Sequence, residues 1–318
     1  MIPTAIVHIG VDVSKRHLDL SPFDKGLARV PNDRAGIRKL IQRIGALEGS
    51  PIVTCEATGG YERALLLALV EAAIQVARVN PGQVRHFIRS QAVGAKNDRI
   101  DARMLARFAA VRHAEDQLFV VVADEEERWA LRELLTRRTQ LKQTILQEKN
   151  RLDPAPGKAV AADIRGHIRH LEGRLKKIET AINEWVRAHP GFDSFRTRLG
   201  RVNGFGRISL LTLIAFMPEL GKVSAKRAAA LVGVAPYERQ SGDSRQKARI
   251  FGGRGEVRNT LYMAAMAASR SNPVLQTFYE RLVSSGKPRK LALIAVLRKL
   301  VALANKVAED PDFVPITA

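Results

Sequence analysis

The chain has 318 residues, enough for two domains of ~150 residues, and 46% of them are apolar, as a buried core requires. Fifty-two Lys and Arg against 32 Asp and Glu give a formal charge of +20, which points to nucleic acid as the partner. A single cysteine, Cys55, excludes a disulfide framework and a Cys-rich zinc site, and no apolar run reaches the ~20 residues of a membrane span.

Polar His8, Asp12, Lys15 and Arg16 interrupt the N-terminus too early for a signal peptide, so a soluble cytoplasmic protein is expected. Residues 5–31 predict three short strands, Ala5–Val13, His17–Pro22 and Leu27–Val30, with turn signals at Ser21-Pro22 and Asp24-Lys25-Gly26. Asn32-Asp33 signals a helix start, and Ile37, Leu40, Ile41 and Ile44 follow at helical spacing. Pro51–Cys55 reads as a buried strand. Gly59-Gly60 breaks the chain before a helix carrying Leu65, Leu66, Leu69 and Val70. Ile74–Val79 is a further strand, ended by Asn80-Pro81-Gly82, and a helix from about Arg99 to Val111 closes the unit. The order β-β-β-α-β-α-β-α predicts a mixed sheet flanked by helices over residues 1–120.

Residues 121–190 change character. Asp124, Glu125, Glu126 and Glu127 suit the positive end of a helix dipole. Ile164, Ile168, Leu171, Leu175, Ile178, Ile182 and Trp185 then repeat in alternating steps of four and three, the seam of a coiled coil. The preceding helix carries Leu131, Leu134, Leu141, Ile145 and Leu152 but breaks its own seam at Arg138 and Glu148. Pro154 and Pro156-Gly157 separate the two. Pairing within the chain and pairing between chains are both open. Residues 191–318 read as helical. The charge is +5 over residues 1–120 and +15 over the remainder, which suits a catalytic unit joined to nucleic-acid-binding surface.

Four acids carry the chemistry. Asp12 ends the first strand in Ile9-Gly10-Val11-Asp12, and Glu56 ends the fourth in Val53-Thr54-Cys55-Glu56. An acid in such an apolar strand is costly unless paired or metal-bound. Asp98 and Asp101, three apart at a helix start, share one helical face. Each alone has a plain reading as a cap or turn residue. As a set, four convergent carboxylates repel one another unless divalent cations sit between them; Mg²⁺ prefers such oxygens and serves phosphoryl transfer. The seven histidines show no metal-ligand spacing, and Trp129, Trp185 and Tyr262 read as core or interface residues.

Gly-Val-Asp-Val-Ser-Lys at 10–15, Glu-Ala-Thr-Gly-Gly-Tyr at 56–61 and Lys-Asn-Asp-Arg-Ile-Asp-Ala at 96–102 resemble the DEDD transposases of the insertion-sequence 110 family. The resemblance implies a RuvC-like, ribonuclease-H-like fold for the N-terminal domain, with Asp12, Glu56, Asp98 and Asp101 as catalytic Mg²⁺ ligands. It extends over nearly the whole chain. Asn203-Gly204-Phe205-Gly206 looks like a helix-hairpin-helix DNA clamp, although a Gly-x-Gly by itself is equally a tight turn. Residues 222–258 hold nine Lys and Arg against three acids, among them Arg239, Arg245, Lys247, Arg249, Arg254 and Arg258, a composition suited to phosphate contact. This segment resembles the family's second domain, whose nucleophilic serine precedes a glycine, and the matching residue is Ser241 of Ser241-Gly242. Ser244 is a competitor without the glycine. By itself Ser241 reads as a polar turn residue.

The resemblance implies an insertion-sequence transposase that cuts and rejoins DNA through a serine–DNA bond, assembles as a dimer or tetramer, is guided by a noncoding RNA, and works at the nucleoid. With acids and serine far apart in sequence, the active site is expected to form across domains or subunits. Two other readings stay open from the residues alone: a metal-dependent nuclease or junction resolvase using water, and a non-catalytic nucleic-acid-binding protein, against which the intact acids argue. The expected organisation is a catalytic domain at 1–120, a helical segment at 121–190 and a helical transposase domain at 191–318.

Overall fold

The structure is a computed structural model describing residues 5–22, 29–91, 98–115, 117–118, 125–154, 156–241 and 244–315, with the backbone alone described at 98–100, 125, 237–241 and 244–248. The turn signal Asp24-Lys25-Gly26, the residues Lys96, Asn97 and Asp124, and the Gly242-Asp243 step lie outside the described residues. Two compact units divide the chain, residues 1–126 and 127–318.

The N-terminal unit runs β1 (Ile6–Val13), β2 (His17–Ser21), β3 (Arg29–Pro31), α1 (Arg34–Gly45), β4 (Ser50–Glu56), α2 (Arg63–Glu71), β5 (Gln75–Val79), α3 (Pro81–Ser90) and α4 (Asp98–Ala114). Its five-stranded sheet has the order β3-β2-β1-β4-β5. The first three strands pair antiparallel, and β1 with β4 and β4 with β5 pair parallel. Antiparallel strands close with tight turns, whereas the two parallel pairings need helical crossovers, here α1 and α2. Asp33 caps α1 by accepting from the Gly36 N–H at 2.8 Å. Ile37, Leu40 and Ile44 are buried.

One helix was not foreseen. Asn80-Pro81-Gly82 ends β5 as expected but also starts α3, with the Asn80 side chain as cap and Pro81 in the first turn. Proline has no N–H to lose there, so the same residues stop a strand and open a helix.

The C-terminal unit takes up α5 (Glu125–Leu152) from Glu127 onward, followed by α6 (Lys158–Ala188), α7 (Pro190–Gly200), α8 (Arg207–Phe216), α9 (Ala225–Val232), β6 (Pro236–Ser241), β7 (Ser244–Ile250), α10 (Gly255–Ser271), α11 (Pro273–Ser284) and α12 (Arg289–Glu309). The heptad seam of α6 packs within the chain. Leu141 and Ile145 of α5 cluster with Ile168, Leu171 and Leu175, and Leu131 and Leu135 cluster with Ile182 and Trp185. Ascending positions on α5 meet descending ones on α6, so the pair is antiparallel. The two polar breaks in the α5 seam find partners. Arg138 Nε donates to Glu179 at 2.9 Å, and buried Glu148 faces Arg151 and, at 3.4 Å, His167. The Arg138–Glu179 and Glu148–His167 contacts cross between the helices and favour one register over a slipped one.

The far ends of α5 and α6 pack on Leu211, Ile214 and Ala215 of α8. Three arginines close the C-terminus of α8: Arg128 donates to the Ile214 carbonyl, Arg132 to Ala215 at 2.5 Å and Arg254 to Phe216 at 2.6 Å. A helix leaves its last carbonyls unpaired with partial negative charge, which cations satisfy. The remaining core joins Leu213, Val257, Leu261, Val296, Leu297 and Leu300 from α8, α10 and α12.

The expectation of an all-helical C-terminal region is corrected by the β6–β7 hairpin. Residues 236–250 lack apolar residues at helical spacing, and the Ser241-Gly242-Asp243-Ser244 step is a hairpin signal by composition.

Candidate active site

Sheet register brings two of the four acids, Asp12 and Glu56, to neighbouring strand ends. Gly10 lies opposite Thr54 and Val11 opposite Cys55 in the parallel β1–β4 pair. One residue further on each strand come Asp12 and Glu56, at neighbouring strand ends. On the other side of β1, Asp12 faces Asp19, and Asp19 faces Arg29. Residues in register share a face, so Arg29, Asp19, Asp12 and Glu56 form a row across the sheet. Asp19 is buried, and Arg29 grips it with two hydrogen bonds of 2.8 and 2.9 Å, which neutralises that acid within the row.

Helix α4 lies on the same face. A Cβ built on Gly10 would sit 1.9 Å from the Ala102 carbonyl oxygen and 2.6 Å from the Ala106 nitrogen, so only glycine lets the helix backbone rest on β1 there. Two residues earlier, His8 Nε2 is 3.4 Å from His113 Nδ1. His8 therefore meets the end of α4 and Gly10 its first half. The helix runs against the strand with its N-terminal turn toward Asp12. Asp98 and Asp101 occupy that turn. The side chain of Asp98 lies outside the described residues, and among the described residues no three His, Cys, Asp or Glu side chains are grouped to hold a metal ion. Burial, then the neighbouring His113, lowers the pKa of His8. Burial, then Glu62, pushes the Cys55 thiol up to about 12, so this fully buried cysteine is a packing residue.

Three residues with roles here carried no sequence signal strong enough to single them out: Asp19, Asn32 and Glu62. Glu62 is 2% exposed and accepts from Thr58 N–H at 3.2 Å, Thr58 Oγ1 at 3.0 Å and Gly60 N–H at 2.9 Å. Asn32 Nδ2 donates to Ser14 O at 2.8 Å and Tyr61 O at 3.1 Å. An acid two residues after Gly59-Gly60, in reach of a tight turn's N–H groups, is the one local hint that composition offered.

In the C-terminal unit, Gly204 has φ of 116° and its Cβ would lie 2.4 Å from Ala268 Cβ, so this glycine answers to α10. Gly206 precedes α8 as its cap residue. Ser241 and Ser244 are register partners at the hairpin end, while the side chains of Arg239, Ser241, Arg245 and Lys247 lie outside the described residues. Arg249 is exposed.

The hairpin base is pinned. Gly233 and Gly253 pack backbone to backbone, for a Cβ on Gly253 would meet Gly233 N at 2.2 Å. Arg258 Nη1 donates to Gly252 O at 2.6 Å, and Arg254 holds Glu219 through both its terminal nitrogens. Burial alone would raise the Glu219 pKa, but the hydrogen bonds and charge of Arg254 outweigh it and hold the carboxyl below the usual range. Arg254 and Arg258, both half-buried, thus brace the fold through these bonds.

A mixed five-stranded sheet with acids at its central strand ends is the frame of the N-terminal unit, and comparison with known proteins says which class it belongs to. A DEDD transposase model of the IS110 family matches residues 9–155, and a second model, described as "Transposase IS116/IS110/IS902 family", matches residues 196–280. Two curated relatives, each named "Pilin gene-inverting protein", are from Moraxella lacunata and Moraxella bovis. They are 29% and 27% identical over 310 residues, covering 94% of this chain and 95% of each relative. The chain belongs to the IS110 family of transposases and is a DNA recombinase or transposase. Its substrate is DNA. No helix of the described residues is long and apolar enough to cross a membrane.

Proposed function

We propose that this protein is an insertion-sequence transposase that cuts and rejoins DNA through a transient serine–DNA bond, using a Mg²⁺-holding RuvC-like, ribonuclease-H-like domain. The observation that carries the reading is the placement of Asp12 beside Glu56 by strand register, with the first turn of α4 directed toward them across Gly10. The sheet order β3-β2-β1-β4-β5 supports the fold assignment. The donor set is purely carboxylate, and hard oxygens suit Mg²⁺ better than a softer ion.

Asp12, Glu56, Asp98 and Asp101 are the residues that would hold the metal. When bound, the ion supplies charge neutralisation and activation of the attacking oxygen. Ser241 Oγ attacks phosphorus as its proton passes to solvent, the bond from phosphorus to the sugar oxygen breaks, and the departing oxygen takes up a proton from solvent. The phosphoserine linkage conserves the energy of the broken bond for rejoining. Arg239, Arg245, Lys247 and Arg249 contact phosphate and stabilise charge as it develops. Gly204 and Gly206 form a DNA clamp. A noncoding RNA guides target choice, the chain assembles as a homodimer or homotetramer, and it acts at the nucleoid in the cytoplasm. The relatives' name, a gene-inverting protein, describes a rearrangement that also needs both cutting and rejoining.

The test incubates purified protein with Mg²⁺, the element's flanking RNA and supercoiled DNA, and searches for a covalent protein–DNA adduct. The expected result is an adduct mapping to Ser241, absent in Ser241→Ala. Wild-type cleavage by Ser241→Ala would overturn the serine mechanism in favour of hydrolysis by water. Omission of RNA is expected to abolish target-specific adducts.

A further inference from the structure

The two acid-bearing strand ends run straight into loops, and the loops are braced to each other. Asp12 is followed by Val13 and the Ser14–His17 turn, closed by Ser14 Oγ donating to His17 O at 2.9 Å and accepting from His17 N–H at 3.0 Å. Glu56 is followed by Ala57, whose N–H continues the sheet to Val79 O at 3.1 Å, and then by the Thr58–Tyr61 turn. Asn32 comes from neither strand. It enters from the β3–α1 junction, and its own N–H bonds Arg16 O at 2.9 Å. Its amide spans both loops, one N–H for Ser14 O and one for Tyr61 O. The second loop is set from within by Glu62, which gathers the Thr58 and Gly60 N–H groups onto one oxygen while the other faces Arg78 Nη1 at 3.9 Å.

We infer that Asn32 and Glu62 are positioning residues that fix the spacing of Asp12 and Glu56, so that metal affinity depends on two side chains that do not bind the metal. The inference rests on the reading of Asp12 and Glu56 as metal-holding carboxylates. A carboxylate pair lowers the free energy of a bound divalent ion only if its geometry is held before the ion arrives, and partners behind metal ligands are worth ~10–100-fold in affinity.

The test uses the full chain without nucleic acid. Thermal unfolding is followed in chelator and across a Mn²⁺ titration for wild type, Asn32→Asp, Glu62→Ala, Glu62→Gln and the D12N/E56Q double variant. Asn32→Asp keeps the shape but removes the donor. Glu62→Gln keeps an acceptor oxygen. Wild type is expected to gain Tm with Mn²⁺ and D12N/E56Q to gain none. Asn32→Asp and Glu62→Ala are expected to need ~10-fold more Mn²⁺ for half the gain, with Glu62→Gln closer to wild type. If Glu62→Ala loses cooperative unfolding, Asn32→Asp carries the comparison. Unchanged Mn²⁺ midpoints in Asn32→Asp and in Glu62→Ala where it folds, whatever their Tm in chelator, overturn this inference alone. A wild-type chain that ignores Mn²⁺, or a D12N/E56Q variant that responds like wild type, overturns the metal reading and this inference with it.

Discussion

Glu219 is 8% exposed, and its carboxyl is held below the usual range by Arg254. Removing the guanidinium leaves a buried acid without its main partner and uncaps the Phe216 carbonyl. Arg254→Met is expected to cost ~3 kcal/mol at pH 7 by chemical denaturation. A depressed carboxylate pKa stabilises the fold above the unfolded value and loses that contribution as pH falls through the folded value. The gap between Arg254→Met and wild type should therefore narrow as pH drops below the ordinary 4.5 of a glutamate. Cys55 gives a simpler residue-scale expectation. With its thiol pushed up to about 12 and no exposed surface, it should resist a thiol reagent at pH 8 in the folded chain and react at once in denaturant. Rapid labelling of the native chain would show that β4 is not packed as described.

At the scale of elements, the decisive contact is α4 on β1. Gly10→Ala forces a methyl into the Ala102 carbonyl, and backbone cannot turn aside as a flexible side chain does. The expected outcome is a loss of ~3 kcal/mol or more and a displaced α4. Loss of DNA cleavage should exceed what the stability change explains, measured at a temperature where the variant stays folded. Cleavage retained at wild-type rate would argue that Asp98 and Asp101 need not sit against β1. The helix pair α5–α6 illustrates how a pattern can be right and its partner undetermined. The α6 seam is a regular repeat, yet its mate in the chain is α5, whose seam is broken by Arg138 and Glu148. The breaks are matched across the pair, so they specify alignment.

For the whole molecule, a formal charge of +20 makes DNA binding depend on released counterions. Affinity should fall steeply with salt, with log K against log[salt] losing ~0.9 per phosphate neutralised. A full-chain titration between about 50 and 200 mM salt is expected to lower affinity by ~10³-fold or more if six or more phosphates are contacted. A shallow slope would mean that the basic residues mainly serve the fold. The structure already assigns Arg128, Arg132, Arg254 and Arg258 to backbone carbonyls. The slope measures how many basic side chains reach phosphate besides bracing the fold.

The sequence by itself determined the family and the order of the N-terminal unit's strands and of its helices other than α3, and it singled out four acids as candidates. Those depend on local spacing: alternation for strands, a cap at Asp33, glycines at breaks, and motifs carried on consecutive residues. It did not reveal α3, because one Asn-Pro-Gly signal served two purposes, nor the β6–β7 hairpin, whose polar residues carry little hydrophobic period. Tertiary structure alone decided which acids matter together. Asp19 became a partner of Arg29 by cross-strand register, Glu62 a clamp on a glycine turn, and Asn32 a bridge between loops far apart in sequence. It also decided that Gly10 is required by a helix about ninety residues away, a constraint no local pattern encodes because it exists only once α4 lies on β1.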